Sequence, residues 1–140
     1  MQAYSFLSFS GNCREAMMFY KKCLGGTLQI RTVGESPKSG TMPAKMKKVV
    51  LDARLTKDKM VLLGSDLIFG RRETGNAVSI MLDCKSEEEA KAIYKRLSSG
   101  GKKVQPLVVN YNGALSGDLT DKYGNHWIIY YGNLSVSNKQ

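Results

Sequence analysis

Residues 12–26, NCREAMMFYKKCLGG, decide the fold because the chain uses the pattern twice: seventy-four residues on, residues 86–101 read SEEEAKAIYKRLSSGG. Glu15-Ala16 falls on Glu89-Ala90, Phe19-Tyr20 on Ile93-Tyr94, and Lys21-Lys22 on Lys95-Arg96. Each copy opens on a residue able to accept a bond from free helix amides, Asn12 or Ser86, followed three places later by a glutamate that can reach back. Both read as capping boxes. Ala16, Phe19, Tyr20, Cys23 and Leu24 then make an apolar helical stripe, matched by Ala90, Ile93, Tyr94 and Leu97, and each copy stops at a glycine pair suited to a left-handed cap. Two unrelated amphipathic helices would share helix-forming residues, but a cap, a stripe, a Tyr-Lys step and a stop that agree in register read as an internal repeat.

The flanks extend the repeat. Residues 3–9, AYSFLSF, precede the first helix, and residues 77–83, AVSIMLD, precede the second at the same offset. Both are rich in aromatic and branched residues and read as strands. After the first helix, residues 27–33 alternate as a strand. A polar stretch over residues 34–45 carries Pro37, Gly40 and Pro43; so long a connection covers a site, meets a partner at Met42, or is a disordered loop. Residues 48–55 and 60–64 are strands around the turn Lys57-Asp58-Lys59, with Asp52 and Arg54 sharing one face of the first. The apolar step Leu67-Ile68-Phe69 between the halves reads as packed. In the second half, strands are expected over residues 76–83, 103–110, 114–120 and 127–131, the helix over 86–98, and a hairpin at residues 121–125. Residues 1–70 and 75–134 are thus two β-α-β-β-β units of one compact domain, and residues 135–140 a frayed tail.

At 140 residues and 42% hydrophobic, the chain is long enough for a self-sufficient core. Its cysteines, Cys13, Cys23 and Cys84, are odd in number and show no C-x-x-C spacing, which suits neither a disulfide framework nor a structural zinc site and points to a reducing cytoplasm. No signal peptide and no stretch of membrane-spanning length is found. A net charge of +9 favours anionic partners. The lysines are scattered, however, and without aromatic interleaving or a nucleic-acid motif, so nucleic-acid binding is not expected.

Residues 9–20, FSGNCREAMMFY, resemble the F-x-G-x-x-x-E-A-x-x-F-Y opening of the PhnB-like branch of the vicinal-oxygen-chelate superfamily, and residues 121–127, DKYGNHW, resemble its closing D-x-F-G-x-x-W. Leu51 to Leu55 and Gly64-Ser65-Asp66 are similar to that branch's middle strands. The superfamily includes glyoxalase I, extradiol dioxygenases and bleomycin-resistance proteins. The resemblance implies an α+β protein in which two β-α-β-β-β units form a curved mixed sheet around a cavity, commonly completed in a homodimer. It says far less about activity. In the enzymes the cavity holds a divalent metal on His or Glu side chains. Carried over, those positions fall on Ser5, Ser79 and Ile128 and near Leu63: a poor ligand twice and none twice. Asp52 stands where PhnB-like sequences often carry histidine, and a carboxylate there could still bind a hard cation. With the ligand positions so occupied, the enzymes' metal site is absent on chemistry alone, and no metal and no cofactor are expected.

His126 is the one histidine, at the final turn beside Trp127, where an edge residue is the commoner role. With a single histidine, nucleophilic pairs have few ways to form, and no nucleophile elbow, phosphate loop or nucleotide fingerprint occurs. The methyltransferase label attached to some PhnB-like sequences finds no glycine-rich loop for a nucleotide-like methyl donor. Strand alternation places Tyr4, Phe6, Val78, Ile80, Leu82, Trp127 and Ile129 toward the helices. The open side then receives Ser5, Leu7, Phe9, Ser79, Met81, Ile128 and Tyr130, with Asp52 and Arg54 as charged members. Such a lining suits a small organic ligand; alternatively, Asp52 and Arg54 pair with each other or with neighbours. The expected function is metal-free small-molecule binding. The alternative is a metal-dependent lyase, isomerase or dioxygenase with an altered ligand set around Asp52, Asp66 or His126, and a third possibility is a dimeric interaction module.

Overall fold

In the first unit, Met1–Glu73, the elements run β1 (Ser5–Ser8), α1 (Cys13–Leu24), β2 (Thr27–Thr32), α2 (Ala44–Lys47), β3 (Val50–Lys57) and β4 (Met60–Ser65). The second unit, Thr74–Gln140, runs β5 (Ile80–Asp83), α3 (Glu87–Ser98), β6 (Lys102–Val109), β7 (Leu115–Thr120) and β8 (His126–Tyr131). The structure is a computed structural model that describes residues 1–36, 40–66 and 71–132. Pro37, the Leu67-Ile68-Phe69 step and the expected frayed tail at residues 135–140 lie outside the described residues.

The fold is α+β, with two four-stranded mixed sheets of one design. The first has the order β1-β4-β3-β2 and the second β5-β8-β7-β6. In each, the strand before the helix pairs in parallel with the last strand, and the remaining neighbours are antiparallel. One helix packs on one face of each sheet. Where α1 packs on β3 and β4, Ala53, Leu55 and Leu62 of the sheet and Cys13, Met17 and Tyr20 of the helix have almost no exposure; where α3 packs on β7 and β8, so do Leu119, Trp127 and Ile129 of the sheet and Ala90 and Leu97 of the helix. Each large apolar side chain so buried contributes about 1.5–3 kcal/mol.

A glycine pair follows each helix, directly after α1 and one residue later after α3, whose cap is Ser99. A Cβ on Gly26 would collide with the Thr56 carbonyl, and one on Gly101 with the Thr120 carbonyl, so the chain leaving each helix passes tight against the third strand of its sheet. Gly25 and Gly100 take φ of +81° and +75°, where side chains are strained. The Lys57 ammonium adds a bond to the Leu24 carbonyl at 2.7 Å, at the negative end of α1.

Three expectations need correction. The polar connection is not wholly irregular: it holds a single 3-10 turn at Val33–Glu35 and the one-turn helix α2, which starts after Pro43. Residues 77–79 are exposed and precede β5 rather than forming its start. Asn12 makes no side-chain bond to α1. Asp66 does that work instead, its Oδ1 accepting the Gly11 N–H at 2.9 Å and the Cys13 N–H at 3.0 Å while Oδ2 accepts the Val50 N–H at 3.1 Å. The second unit keeps the local solution, with Ser86 Oγ accepting the Glu89 N–H at 3.0 Å.

Candidate functional site

The side of each sheet away from its helix carries the candidate residues, and pairing register decides which they are. In the first unit Ser5 pairs with Leu62, and Leu7 with Gly64. Leu62 is buried, and a Cβ on Gly64 would lie 3.0 Å from Met17 Sδ and 3.2 Å from Cys13 Sγ of α1. Ser5 and Leu7 therefore point to the helix, and Phe9, fully buried, belongs with the core. This reverses the expected faces of the first strand: Phe6, 57% exposed, takes the open side with Ser8.

The reason is a single residue. Phe9 and Cys84 occupy equivalent places, each donating its N–H at 2.8 Å to the last residue paired on the neighbouring strand, Ser65 or Tyr130. From Phe9 three residues lead to the helix, Ser10, Gly11 and Asn12; from Cys84 only Lys85 and Ser86 do. Alignment on the helices therefore slips the strands by one position, and one position exchanges the two faces of a strand. The second unit keeps its expected faces: Trp127 and Ile129 are buried, and Met81, Ile128 and Tyr130 lie opposite them. Ser79 lies outside the strand, so no face is assigned to it.

The open side of the first sheet also carries Asp52 and Arg54, opposite Ala53 and Leu55. Asp52 does not pair with Arg54. It faces Arg31 across β2 and β3, and the Arg31 guanidinium clasps it through Nε and Nη2, with Nε 3.0 Å from Oδ2. That bond raises the Arg31 pKa above its ordinary value. Arg54 is exposed, between Gln29 on β2 and Leu63 on β4. On the second sheet, Ser116 pairs with Tyr130, and Asp118 with Ile128. The Tyr94 hydroxyl donates to the Gln105 carbonyl at 2.7 Å where β6 departs from regular pairing; burial, and secondly the Asp118 charge, raise its pKa.

The remaining metal candidates do not converge. Both Asp66 carboxylate oxygens take backbone amides, and His126 Nδ1 sits 2.8 Å from Thr120 Oγ1. Among the described residues no three His, Cys, Asp or Glu side chains are grouped to hold an ion. The cysteines, buried and not joined in disulfides, are poorly placed for nucleophilic chemistry. Cys13 starts a helix, where a thiolate is normally favoured, yet burial and then the Asp66 carboxylate push its thiol up to about 12.

The motifs singled out in the sequence have structural work. Asp121, 3% exposed, accepts the Tyr123 and Asn125 N–H groups on Oδ1 at 2.8 and 3.1 Å and the Trp127 indole N–H on Oδ2 at 2.8 Å. The closing D-K-Y-G-N-H-W thus fastens the β7–β8 turn to the buried tryptophan. No helix among the described residues is long and apolar enough to cross a membrane.

The profile of the 3-demethylubiquinone-9 3-methyltransferase family matches residues 2–130. Protein PA1353 of Pseudomonas aeruginosa is similar in structure at a TM-score of 0.82, with 34% identity over 94% of this chain and 97% of that one. A Bacillus cereus PhnB protein, named as a 3-demethylubiquinone-9 3-methyltransferase, follows at 0.73 with 25% identity, over 94% and 100%. Protein YjdN of Escherichia coli is 27% identical, over 89% of this chain and 90% of its own length. A glyoxalase/bleomycin resistance protein/dioxygenase family enzyme of Burkholderia phytofirmans shares the fold at a TM-score of 0.61 with 14% identity, over 92% and 98%.

Proposed function

Because this chain belongs to the family described as 3-demethylubiquinone-9 3-methyltransferase, the PhnB-like branch of the glyoxalase/bleomycin-resistance superfamily, we propose that it is a small-molecule binding protein that holds an organic ligand without a metal ion. The observation that carries this reading is the open face of the second sheet. Half-buried Ile128 and Tyr130 stand there beside exposed Met81, with Ser116 and Asp118 as single polar neighbours. Apolar surface with a few placed polar groups is how proteins hold small organic molecules. On the first sheet the corresponding members are Phe6, Leu63, Asp52 and Arg54, in place of Ser5, Leu7 and Phe9.

The family's description names a methyl transfer, but the sequence holds no glycine-rich loop for a nucleotide-like donor, and we propose binding rather than transfer. A metal-dependent lyase, isomerase or dioxygenase is the weaker reading, since Asp52, Asp66 and His126 each have another partner. The proposal includes a homodimer in a reducing cytoplasm, which suits three buried cysteines not joined in disulfides; sedimentation equilibrium checks the assembly. The deciding experiment is elemental analysis of protein purified without chelator or nickel, joined to a thermal-shift screen of divalent ions. Metal far below one per chain with no stabilising ion is expected. One tightly held ion per chain would overturn the reading.

A further inference from the structure

The two sheets carry one cross-strand row at the same place, with the charge reversed. In the first, pairing register lines up Gln29, Arg54, Leu63 and Phe6 across β2, β3, β4 and β1. In the second it lines up Gln105, Asp118, Ile128 and Met81 across β6, β7, β8 and β5. Each row lies opposite the helix: its neighbours along the strands, Leu55 and Leu62 in one unit and Leu119 and Trp127 in the other, are buried. Each row therefore reads amide, charge, branched apolar, large apolar.

We propose that the row Gln29–Arg54–Leu63–Phe6 is a binding site for an organic acid, whose apolar body lies over Leu63 and Phe6 and whose oxyanion is taken by Arg54. The inference rests on the binding reading above and gives it a ligand class. Of the two arginines on this face, Arg31 is already clasped by Asp52. Arg54 is exposed and has no ion-pair partner among the described residues. A guanidinium presents its donors as a planar fork that matches a carboxylate, sulfonate or phosphate. Gln29, one strand over, presents an amide that can donate to the same group. Phe6, 57% exposed, and half-buried Leu63 provide the apolar patch on the other side. From Arg54 to Phe6 is two strand spacings, about 10 Å, so the ligand body is of the order of one or two fused rings. The excess of basic side chains, +9 overall, steers anions toward the protein.

Fluorescence titration with anilinonaphthalene sulfonate tests this, with N-phenylnaphthylamine as the same ring system lacking the anion and inorganic phosphate as the anion lacking the rings. Saturable binding of the sulfonate is expected, weaker at high salt, with the neutral amine weaker still and phosphate alone not competing at matched concentration. Arg54→Gln should weaken the sulfonate by about tenfold and leave the amine unchanged. Phe6→Ala should weaken both, and Asp118→Asn should not weaken the sulfonate. Arg54 and Phe6 are exposed and Asp118 is half-buried, and an unchanged circular dichroism spectrum establishes that the three variants fold. Equal sulfonate binding by wild type and Arg54→Gln overturns the inference while leaving the binding reading in place if the amine still saturates. Failure of both probes to saturate overturns the two together.

Discussion

Asp66 caps a helix that begins 53 residues before it in the chain: its Oδ1 accepts the Cys13 N–H at 3.0 Å and the Gly11 N–H at 2.9 Å, and its Oδ2 accepts the Val50 N–H at 3.1 Å. One carboxylate at the end of β4 thereby ties the start of α1 to the start of β3. The helix end, with its exposed amides and positive partial charge, favours an anion at this point. Asp66→Ala should lower stability in urea unfolding by about 2 kcal/mol. Asn12→Ala, at a position without a capping bond, should cost less than about 0.5 kcal/mol. Equal losses would return the cap to Asn12.

Cys13 predicts a pH effect. Its ordinary value is 9.0, and the folded protein holds it at about 12. Below pH 9 both folded and unfolded chains keep the proton, and this thiol adds no slope. Between pH 9 and 12 the unfolded chain releases the proton while the folded one retains it, so stability falls as pH rises. Urea midpoints over this range should fall less steeply for Cys13→Ala than for the wild type. Iodoacetamide at pH 8 should leave Cys13 unmodified until denaturant is added, and rapid modification of the native protein would contradict the buried, protonated thiol.

Asp121→Asn should destabilise the second unit. An amide NH2 turned toward the Trp127 indole N–H would oppose donor to donor where Oδ2 now accepts at 2.8 Å. A loss of about 2 kcal/mol is expected. The loss should be smaller in a Trp127→Phe background, because the two changes remove one interaction; strict additivity in a double-mutant cycle would show that the bond contributes nothing.

Gly64→Ala places a methyl 3.0 Å from Met17 Sδ and 3.2 Å from Cys13 Sγ. Overpacking at this contact should cost about 1 kcal/mol. Part of it should return when Met17→Ala makes room, and no recovery in the double variant would locate the strain elsewhere.

Arg31→Gln should leave the urea midpoint unchanged within error. The Arg31–Asp52 pair has side-chain exposures of 66% and 41%, where water already solvates both charges. A clear loss would show that this pair holds β2 to β3.

The elements were legible because their signals are local. The helices at Cys13–Leu24 and Glu87–Ser98 follow from apolar spacing and glycine stops, and the Ser86 cap from its glutamate three residues on. The α2 turn was missed because four polar and apolar residues after Pro43 carry no periodicity to read. The place of Asp66 at the start of α1 was not legible, because nothing in the sequence relates it to the amides it meets.

The candidate site divides along the same line. Alternation by itself separates Ser5, Leu7 and Phe9 from Tyr4 and Phe6, but it does not say which set faces the helix. In the second unit Trp127 and Ile129 anchor the choice as the buried pair, and Met81, Ile128 and Tyr130 fall correctly on the other side. In the first, alternation has no such anchor, and one extra residue between Phe9 and α1 sets its faces opposite to those that alignment with the second unit would give. The sequence by itself determined two β-α-β-β-β units, their helices and their stops, because propensity, periodicity and turn chemistry act between residues close in the chain. Only the tertiary structure decided which face of β1 is open, that Asp52 answers Arg31 and leaves Arg54 to its row, and that Asp66 holds α1. Those outcomes depend on register between strands distant in sequence, where a shift of one residue exchanges inside for outside.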